Sequence, residues 1–188
     1  VNHDSGKTFS TIMDNLEALN TYNVVCSMYN TENYGIPQSR DRIYIVGIRR
    51  PFVFQPPEPV KLTLTIRDII LDPNEIIDNY YFDITDHKLD LLQELVQNGK
   101  IDSLENDWIV NLNVSEWKRT GAKRDIAPCL LAGEGGNCTF YLTSERRRLT
   151  ELEYLRLQGF PPDFKICVSR SRTYKQVGNS MSVNVLGD

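Results

Sequence analysis

Apolar side chains return at the three- and four-residue spacing of one helix face at Phe9, Ile12, Met13, Leu16 and Leu19. This pattern predicts an amphipathic helix from about Lys7 to Leu19, with Asn20 and Asn23 marking its exit. Val24 to Tyr29 reads as a strand. A turn-rich stretch follows, Asn33-Tyr34-Gly35-Ile36-Pro37, and then the longest apolar run of the chain, Ile43-Tyr44-Ile45-Val46-Gly47-Ile48. That run has the length of a buried strand and predicts one from Arg42 to Ile48. Helix, strand, loop and strand in this order match the tail of an α/β sheet.

The pattern changes after Arg50. Pro51, Pro56, Pro57 and Pro59 fall within nine residues, and proline resists both helix and sheet ladder, so an extended linker and a domain boundary are expected there. Beyond it, Leu89, Leu92, Leu95 and Val96 predict the inward face of a helix from about His87 to Asn98, with Asp86 as N-cap and Gly99 at its C-terminal end. From Trp108 to Thr143 the chain is irregular and Gly-rich, as expected of short strands and exposed loops. Thr150 with Glu153 three residues later is a capping-box pattern opening another helix. Leu152, Leu155 and Leu157 supply its apolar contacts, and Gly159 and Pro161 stop it. Ser180 to Leu186 begins a last helix or strand. No internal repeat is present.

Composition sets bounds on this picture. With 188 residues, 40% hydrophobic and 24% charged, the chain has the size and make-up of one soluble domain or a domain and a half. No apolar run approaches the roughly 18 residues of a membrane span. Val1 is not a methionine and no leader pattern follows it, so a partial chain is expected. Cys26, Cys129, Cys138 and Cys167 form no CxxC pair and stand apart from His3 and His87, which fits neither a zinc site nor a disulfide scaffold and makes a reducing, cytoplasmic setting the expectation. Net charge is −4, but the segment Asp68 to Asp107 holds eleven Asp/Glu against two Lys, leaving the remainder at +5. An acidic lobe and a basic working face fit that asymmetry, as do ordinary solvated faces.

Several clusters could carry chemistry. In Pro37-Gln38-Ser39-Arg40-Asp41-Arg42, the two arginines stand two apart and share one face on extended backbone. At the lip of a buried strand they need anions or carbonyl oxygens, which the planar guanidinium fork suits. The alternative is a surface strand end with salt bridges to Asp41 or Glu32. Lys118-Arg119-Thr120-Gly121-Ala122-Lys123-Arg124 places four cations around a glycine, a loop able to meet phosphates or read guanine. Gly133-Glu134-Gly135-Gly136-Asn137 is a second flexible loop or a hairpin turn, without the spacing of a phosphate-binding fingerprint. Arg146-Arg147-Arg148 reads as a solvated basic face. Pro128-Cys129 is followed by Leu130 with no histidine nearby, which argues against a nucleophile. In Gln176-Val177-Gly178-Asn179-Ser180, Gly178 permits a tight backbone path, and Asn179 and Ser180 offer polar groups or an N-cap at a helix start.

The order of these clusters is more specific than any of them singly. Pro37-Gln38-x-Arg40-x-Arg42, then Arg148-Leu149-Thr150-x-x-Glu153-x-x-Arg156-Leu157-Gln158-Gly159-Phe160-Pro161, then Gln176-x-Gly178-Asn179-Ser180, closely resemble the eighth, ninth and tenth sequence blocks of the DNA cytosine-5 methyltransferases. The opening Asn2-His3-Asp4-x-Gly6-Lys7-Thr8-Phe9 resembles the segment after that family's Glu-Asn-Val block. The resemblance implies the C-terminal part of a Rossmann-like, S-adenosylmethionine-dependent methyltransferase sheet plus a small, mostly β target recognition domain. It places the tail of the catalytic domain at 1–55, the recognition domain at 56–171 and a return to the cofactor wall at 172–188. It implies double-stranded DNA as partner, base flipping as the means of reaching the ring, and a setting such as restriction-modification. Arg42 would hold the flipped cytosine at O2, with Arg40 supporting the same face. Asn179 and Ser180 would border the cofactor. Lys118, Arg119, Lys123, Arg124, Gly133 and Gly135 would read the DNA, Arg124 foremost.

The family's Phe-x-Gly-x-Gly loop, Pro-Cys-Gln nucleophile and Glu-Asn-Val block are absent from the 188 residues. They are expected in an N-terminal catalytic half, on the same chain or a partner subunit, and the chain alone is expected to be inactive. Two other readings stay open. One is a non-catalytic DNA-specificity subunit of a split methyltransferase; the other is a relative that methylates cytosine in transfer RNA.

Overall fold

The computed structural model describes residues 3–111, 124–132 and 140–187. They divide into two compact units, Val1–Tyr29 with Asp41–Glu58, and Asn30–Arg40 with Pro59–Asp188.

In the first unit, helix α1 (Lys7–Glu17) precedes strands β1 (Tyr22–Asn30) and β2 (Asp41–Arg49), which form a two-stranded sheet. Asn20 ends the helical stretch in a left-handed conformation (φ 52°), which asparagine tolerates better than most residues. Asn23, expected at the exit, lies inside β1 and donates Nδ2 to Phe52 O at 2.7 Å. Phe9, Met13 and Leu16 are half-buried, whereas Ile12 and Leu19 are exposed. The apolar run expected to be a buried strand is instead alternately exposed and half-buried along β2, with Ile43 and Ile45 outward. Two strands and one helix provide too little cover to bury it.

The second unit holds the core. Strands β3 (Ile109–Asn111), β4 (Phe140–Leu142) and β5 (Arg147–Arg148) form an antiparallel sheet, with Ile109 opposite Leu142 and Tyr141 opposite Arg148. The strands are short yet bury both faces. On one side Ile109, Phe140 and Leu142 join Ile66, Leu130 and Leu149. On the other, Val110 and Tyr141 meet Leu92, Leu95 and Ile101. Helix α2 (Asp86–Gln97) thus covers the second face of this sheet, which gives part of the acidic 68–107 segment a packing role. Two of its expected details change. Thr85 takes the N-cap position and Asp86 is the first helical residue. Leu91 is buried and Leu89 exposed, because the buried face runs through 91, 92 and 95.

Thr150 caps helix α3 (Glu151–Arg156) in the expected reciprocal arrangement, accepting from Glu153 N while Glu153 accepts from Thr150 N. Leu152 faces solvent; Tyr154 takes the buried position instead, edge-on to Phe140 and Tyr174 at ring distances of 5.9 and 4.6 Å. Helix α4 (Arg170–Asn179) has no counterpart in the sequence reading, since its buried side chains, Thr173, Tyr174 and Val177, span barely one turn of periodicity. Residues 178–180 are therefore the end of a helix and not its start, and the last short helix, α5, is Val183–Leu186.

Candidate functional site

Three sequence-distant stretches converge in the second unit. The first, Gly35–Arg40, is held in extended form by backbone bonds from Ala127 N to Pro37 O and from Ser39 N to Ala127 O, both 2.8 Å. Gln38, fully buried, donates Nε2 to Leu157 O at 2.6 Å. The second stretch turns at Gly159 (φ 78°), where a Cβ would stand 2.1 Å from Asn184 Oδ1. Asn184 in turn donates to Tyr34 O at 3.1 Å, and Gln158 O accepts from Val183 N at 2.8 Å. The third stretch is the end of α4.

Arg40 sits at the convergence, 2% exposed. Its Nη1 donates to Leu130 O at 2.7 Å, and its Nη2 donates to Gly178 O at 3.0 Å and Ser180 O at 2.8 Å. These are the carbonyl partners that a buried guanidinium needs, two of them at the negative end of a helix. Cys129 Sγ lies 3.3 Å from Nη1, so this thiol belongs to the same joint.

Gly178 is indispensable to the crossing. A Cβ there would stand 2.2 Å from Leu131 O and 2.4 Å from Ala132 N, closer than any side chain allows. Beyond it, Asn179 is exposed and its amide has no hydrogen-bond partner among the described residues. Ser180 is half-buried and donates Oγ to Val177 O at 2.7 Å. A cavity of about 320 Å³ opens beside Ser180, walled by Phe160, Phe164, Ile166 and Val177.

Arg42 lies at the start of β2 in the first unit, half-buried, with Nη1 donating to Asp41 O at 2.7 Å. Arg124 is exposed and stands 3.6 Å from Asp102 and 3.7 Å from Asp125. Hydrogen bonds from the Asn106 side chain and then from Trp108 Nε1 hold the Asp102 carboxyl below its ordinary range, so it stays an anion. Such loose, solvated pairs are worth little, and Arg124 is released at small cost. Lys118, Arg119, Lys123, Gly133 and Gly135 lie outside the described residues. Among the described residues no group of His, Cys, Asp or Glu could hold a metal ion, and no helix is long and apolar enough to cross a membrane.

Sequence reasoning missed two charged clusters. Arg147, expected on a solvated face, is wholly buried and paired twice with Glu153, at 2.9 and 2.7 Å. Arg170 lies over the rings of Tyr80 (4.2 Å) and Tyr81 (5.1 Å) and bonds to Asp78 and Glu151. Burial, reinforced by the hydrogen bond to Glu151, pushes the Tyr81 hydroxyl well above its ordinary value. The Thr150–Glu153 pattern announced the capping box but not the burial of Glu153, so the sequence held no pointer to its pairing with Arg147.

A family model for C-5 cytosine-specific DNA methylase matches residues 1–188. The chain belongs to that family. Among curated relatives of this chain, the type II methyltransferase M.NgoBI of Neisseria gonorrhoeae is 33% identical over 186 residues, covering 98% of this chain and 54% of the relative. The type II methyltransferase M.HaeII of Haemophilus aegyptius is 35% identical with the same coverage. The chain thus spans about half the length of the curated relatives it matches, the C-terminal half. Solved methyltransferase structures share the fold at low identity. That of the Entamoeba histolytica methyltransferase EhMeth gives a TM-score of 0.59 at 18% identity, over 96% of this chain and 55% of that one. Dnmt2 of S. pombe gives 0.57 at 16%, over 97% and 61%. The fold of this chain is therefore α/β, the C-terminal part of a Rossmann-like methyltransferase fold with small sheets.

Proposed function

We propose that this chain forms the C-terminal part of an enzyme that methylates C5 of cytosine in double-stranded DNA. The observation that carries the reading is the joint around Arg40, where Gln38 and Arg40, Leu157 to Gly159, and Gly178 to Asn184 interlock. The part of the first block that ends at Arg40 is thereby one structural piece with the other two, all within the second unit, in a chain matched end to end by the family. We assign 1–55 to the catalytic domain, 56–171 to DNA recognition and 172–188 to the cofactor wall.

The residues at the end of α4 fit a border of an S-adenosylmethionine site. Asn179 offers an exposed amide without a partner among the described residues, Ser180 a hydroxyl, and the apolar cavity beside it has room for a planar ring. S-adenosylmethionine, when bound, supplies the methyl group. In this reading Asn179 and Ser180 orient it, and Arg42 donates to O2 of the flipped cytosine, steadying charge that develops on the ring. Arg40 supports the same segment. Lys118, Arg119 and Lys123 meet phosphates, Arg124 exchanges its loose carboxylate partners for a base edge, and Gly133 and Gly135 let backbone approach the groove. A nucleophile and most of the cofactor site must come from an N-terminal half, so the 188 residues alone transfer no methyl group.

The test is transfer of a labelled methyl group from S-adenosylmethionine to plasmid DNA and, separately, to transfer RNA. It compares the product of the whole reading frame that holds this chain, its Arg42→Ala variant, and the 188 residues alone. Transfer to DNA, lost by about a hundredfold in Arg42→Ala and absent with the 188 residues, is the expected result. Transfer to RNA only, or turnover by the 188 residues, would overturn it.

A further inference from the structure

We infer that Arg40 is a positioning residue that makes the cofactor border and the root of a DNA-reading loop a single rigid piece. The inference rests on the assignment of Asn179 and Ser180 to the cofactor and of Gly133 and Gly135 to DNA. It goes beyond that assignment by giving Arg40 a task that touches neither ligand.

The geometry is specific. One edge of the guanidinium holds Leu130 O, and its other nitrogen holds Gly178 O and Ser180 O, so one planar group spans both backbones. Burial to 2% exposure leaves the group no access to a base in solution. A lysine cannot replace it, because a single ammonium on a flexible stem cannot reproduce the fork. The two backbones also touch directly: at Gly178 there is no room even for a methyl group against Leu131 O and Ala132 N. Gln158 steadies the α4 side of the joint, donating Nε2 to Val177 O at 3.4 Å while its backbone carbonyl accepts from Val183 N. Ala132 runs directly into residue 133, and Ser180, two residues past Gly178, faces the apolar cavity. A shift of the segment entering 133 is therefore transmitted to Ser180 without slack, and a shift at Ser180 is transmitted back. Close-packed backbones joined by charged hydrogen bonds move together. Two ligands that each favour one arrangement of a shared piece must then favour each other's binding, by the same factor in both directions.

The experiment uses the product of the whole reading frame and measures dissociation constants for S-adenosylhomocysteine and for plasmid duplex, each with and without the other. Unmodified protein is expected to bind each at least roughly fivefold more tightly when the other is present. Arg40→Lys is expected to weaken both constants and bring that mutual enhancement close to onefold. Unchanged constants and enhancement in Arg40→Lys would overturn the inference. So would a fall in kcat with both constants unchanged, which would make Arg40 a contact of the reacting base. Failure of unmodified protein to bind either ligand would instead overturn the functional assignment beneath it. Should Arg40→Lys not fold, amide exchange on unmodified protein decides the matter. Added S-adenosylhomocysteine alone is expected to protect 130–132 together with 178–180, and protection of 178–180 with 130–132 unchanged would refute the joint.

Discussion

The Glu153 carboxylate receives four donors: Nη1 and Nη2 of Arg147, Thr150 N at 2.6 Å and Leu71 N at 2.8 Å. Both partners of the ion pair are completely buried, which is tolerable only because these bonds replace water. Removing one partner leaves an uncompensated charge, so Arg147→Met is expected to cost about 3–5 kcal/mol in urea unfolding of the chain. The double variant Arg147→Met with Glu153→Leu is expected to recover only part of that loss. It removes both charges but leaves Thr150 N and Leu71 N without an acceptor, at roughly 1–3 kcal/mol each. Full recovery in the double variant would show that the pair, and not the anchored backbone, is what matters. The legible and the hidden stand side by side here. Thr150 and Glu153 announce a capping box by spacing alone, whereas Arg147 sits in a run of three arginines whose outer members are exposed or half-buried. Which of the three turns inward is decided by the pleat of β5, not by composition.

At the scale of elements, periodicity found α1, β1, β2, α2 and α3, all long or well punctuated. It missed α4, whose start is fixed by tertiary contacts: Arg170, at its first position, bonds to Glu151 and to Asp78, and lies over two tyrosines. Asp78 also caps the short 3₁₀ turn Asn79–Tyr81 by accepting from Tyr80 N at 2.9 Å. That bond first, and Arg170 second, hold the Asp78 carboxyl below its ordinary value of 3.8. A depressed carboxyl contributes stability that is present above the ordinary value and is lost as pH falls through the lower, folded one. Asp78→Asn is therefore expected to lower the urea midpoint by a constant amount above about pH 5, and the difference is expected to shrink on acidification below 3.8. A difference independent of pH down to strongly acid solution would mean that the amide loses shape, not charge. At the opposite end of α3's first turn, Thr150→Ala is expected to cost about 1 kcal/mol in the same assay, the usual worth of such a cap.

At the scale of the whole molecule, burial is distributed unevenly. Among the described residues every buried hydrophobic side chain belongs to the second unit, from Tyr34 and Ile36 through Val185. Among the described residues of the first unit none is buried, and Ile12, Met28, Ile43, Ile45, Phe52 and Val53 are exposed. The helix meets the sheet across an open cavity of about 380 Å³ lined by Leu16, Leu19, Tyr22, Val24, Ile45 and Gly47. The apolar run along β2 was readable in the sequence as a strand meant for burial; what would bury it was not, and among the described residues of the first unit nothing does. Hydrophobic burial is the main favourable term in folding, and a unit with so little of it has little to set against chain entropy. The 188 residues alone are thus expected to unfold in two steps, with β1 and β2 exchanging their amides freely under conditions where β3, β4 and α3 remain protected. In the product of the whole reading frame, β1 and β2 are expected to gain protection by at least roughly a hundredfold, since further strands and helices then cover Ile43 and Ile45. Equal protection of the two units in the 188 residues would contradict this. So would β2 amides that stay unprotected in the longer protein, and that result would also remove Arg42 from any fixed position from which to hold a base.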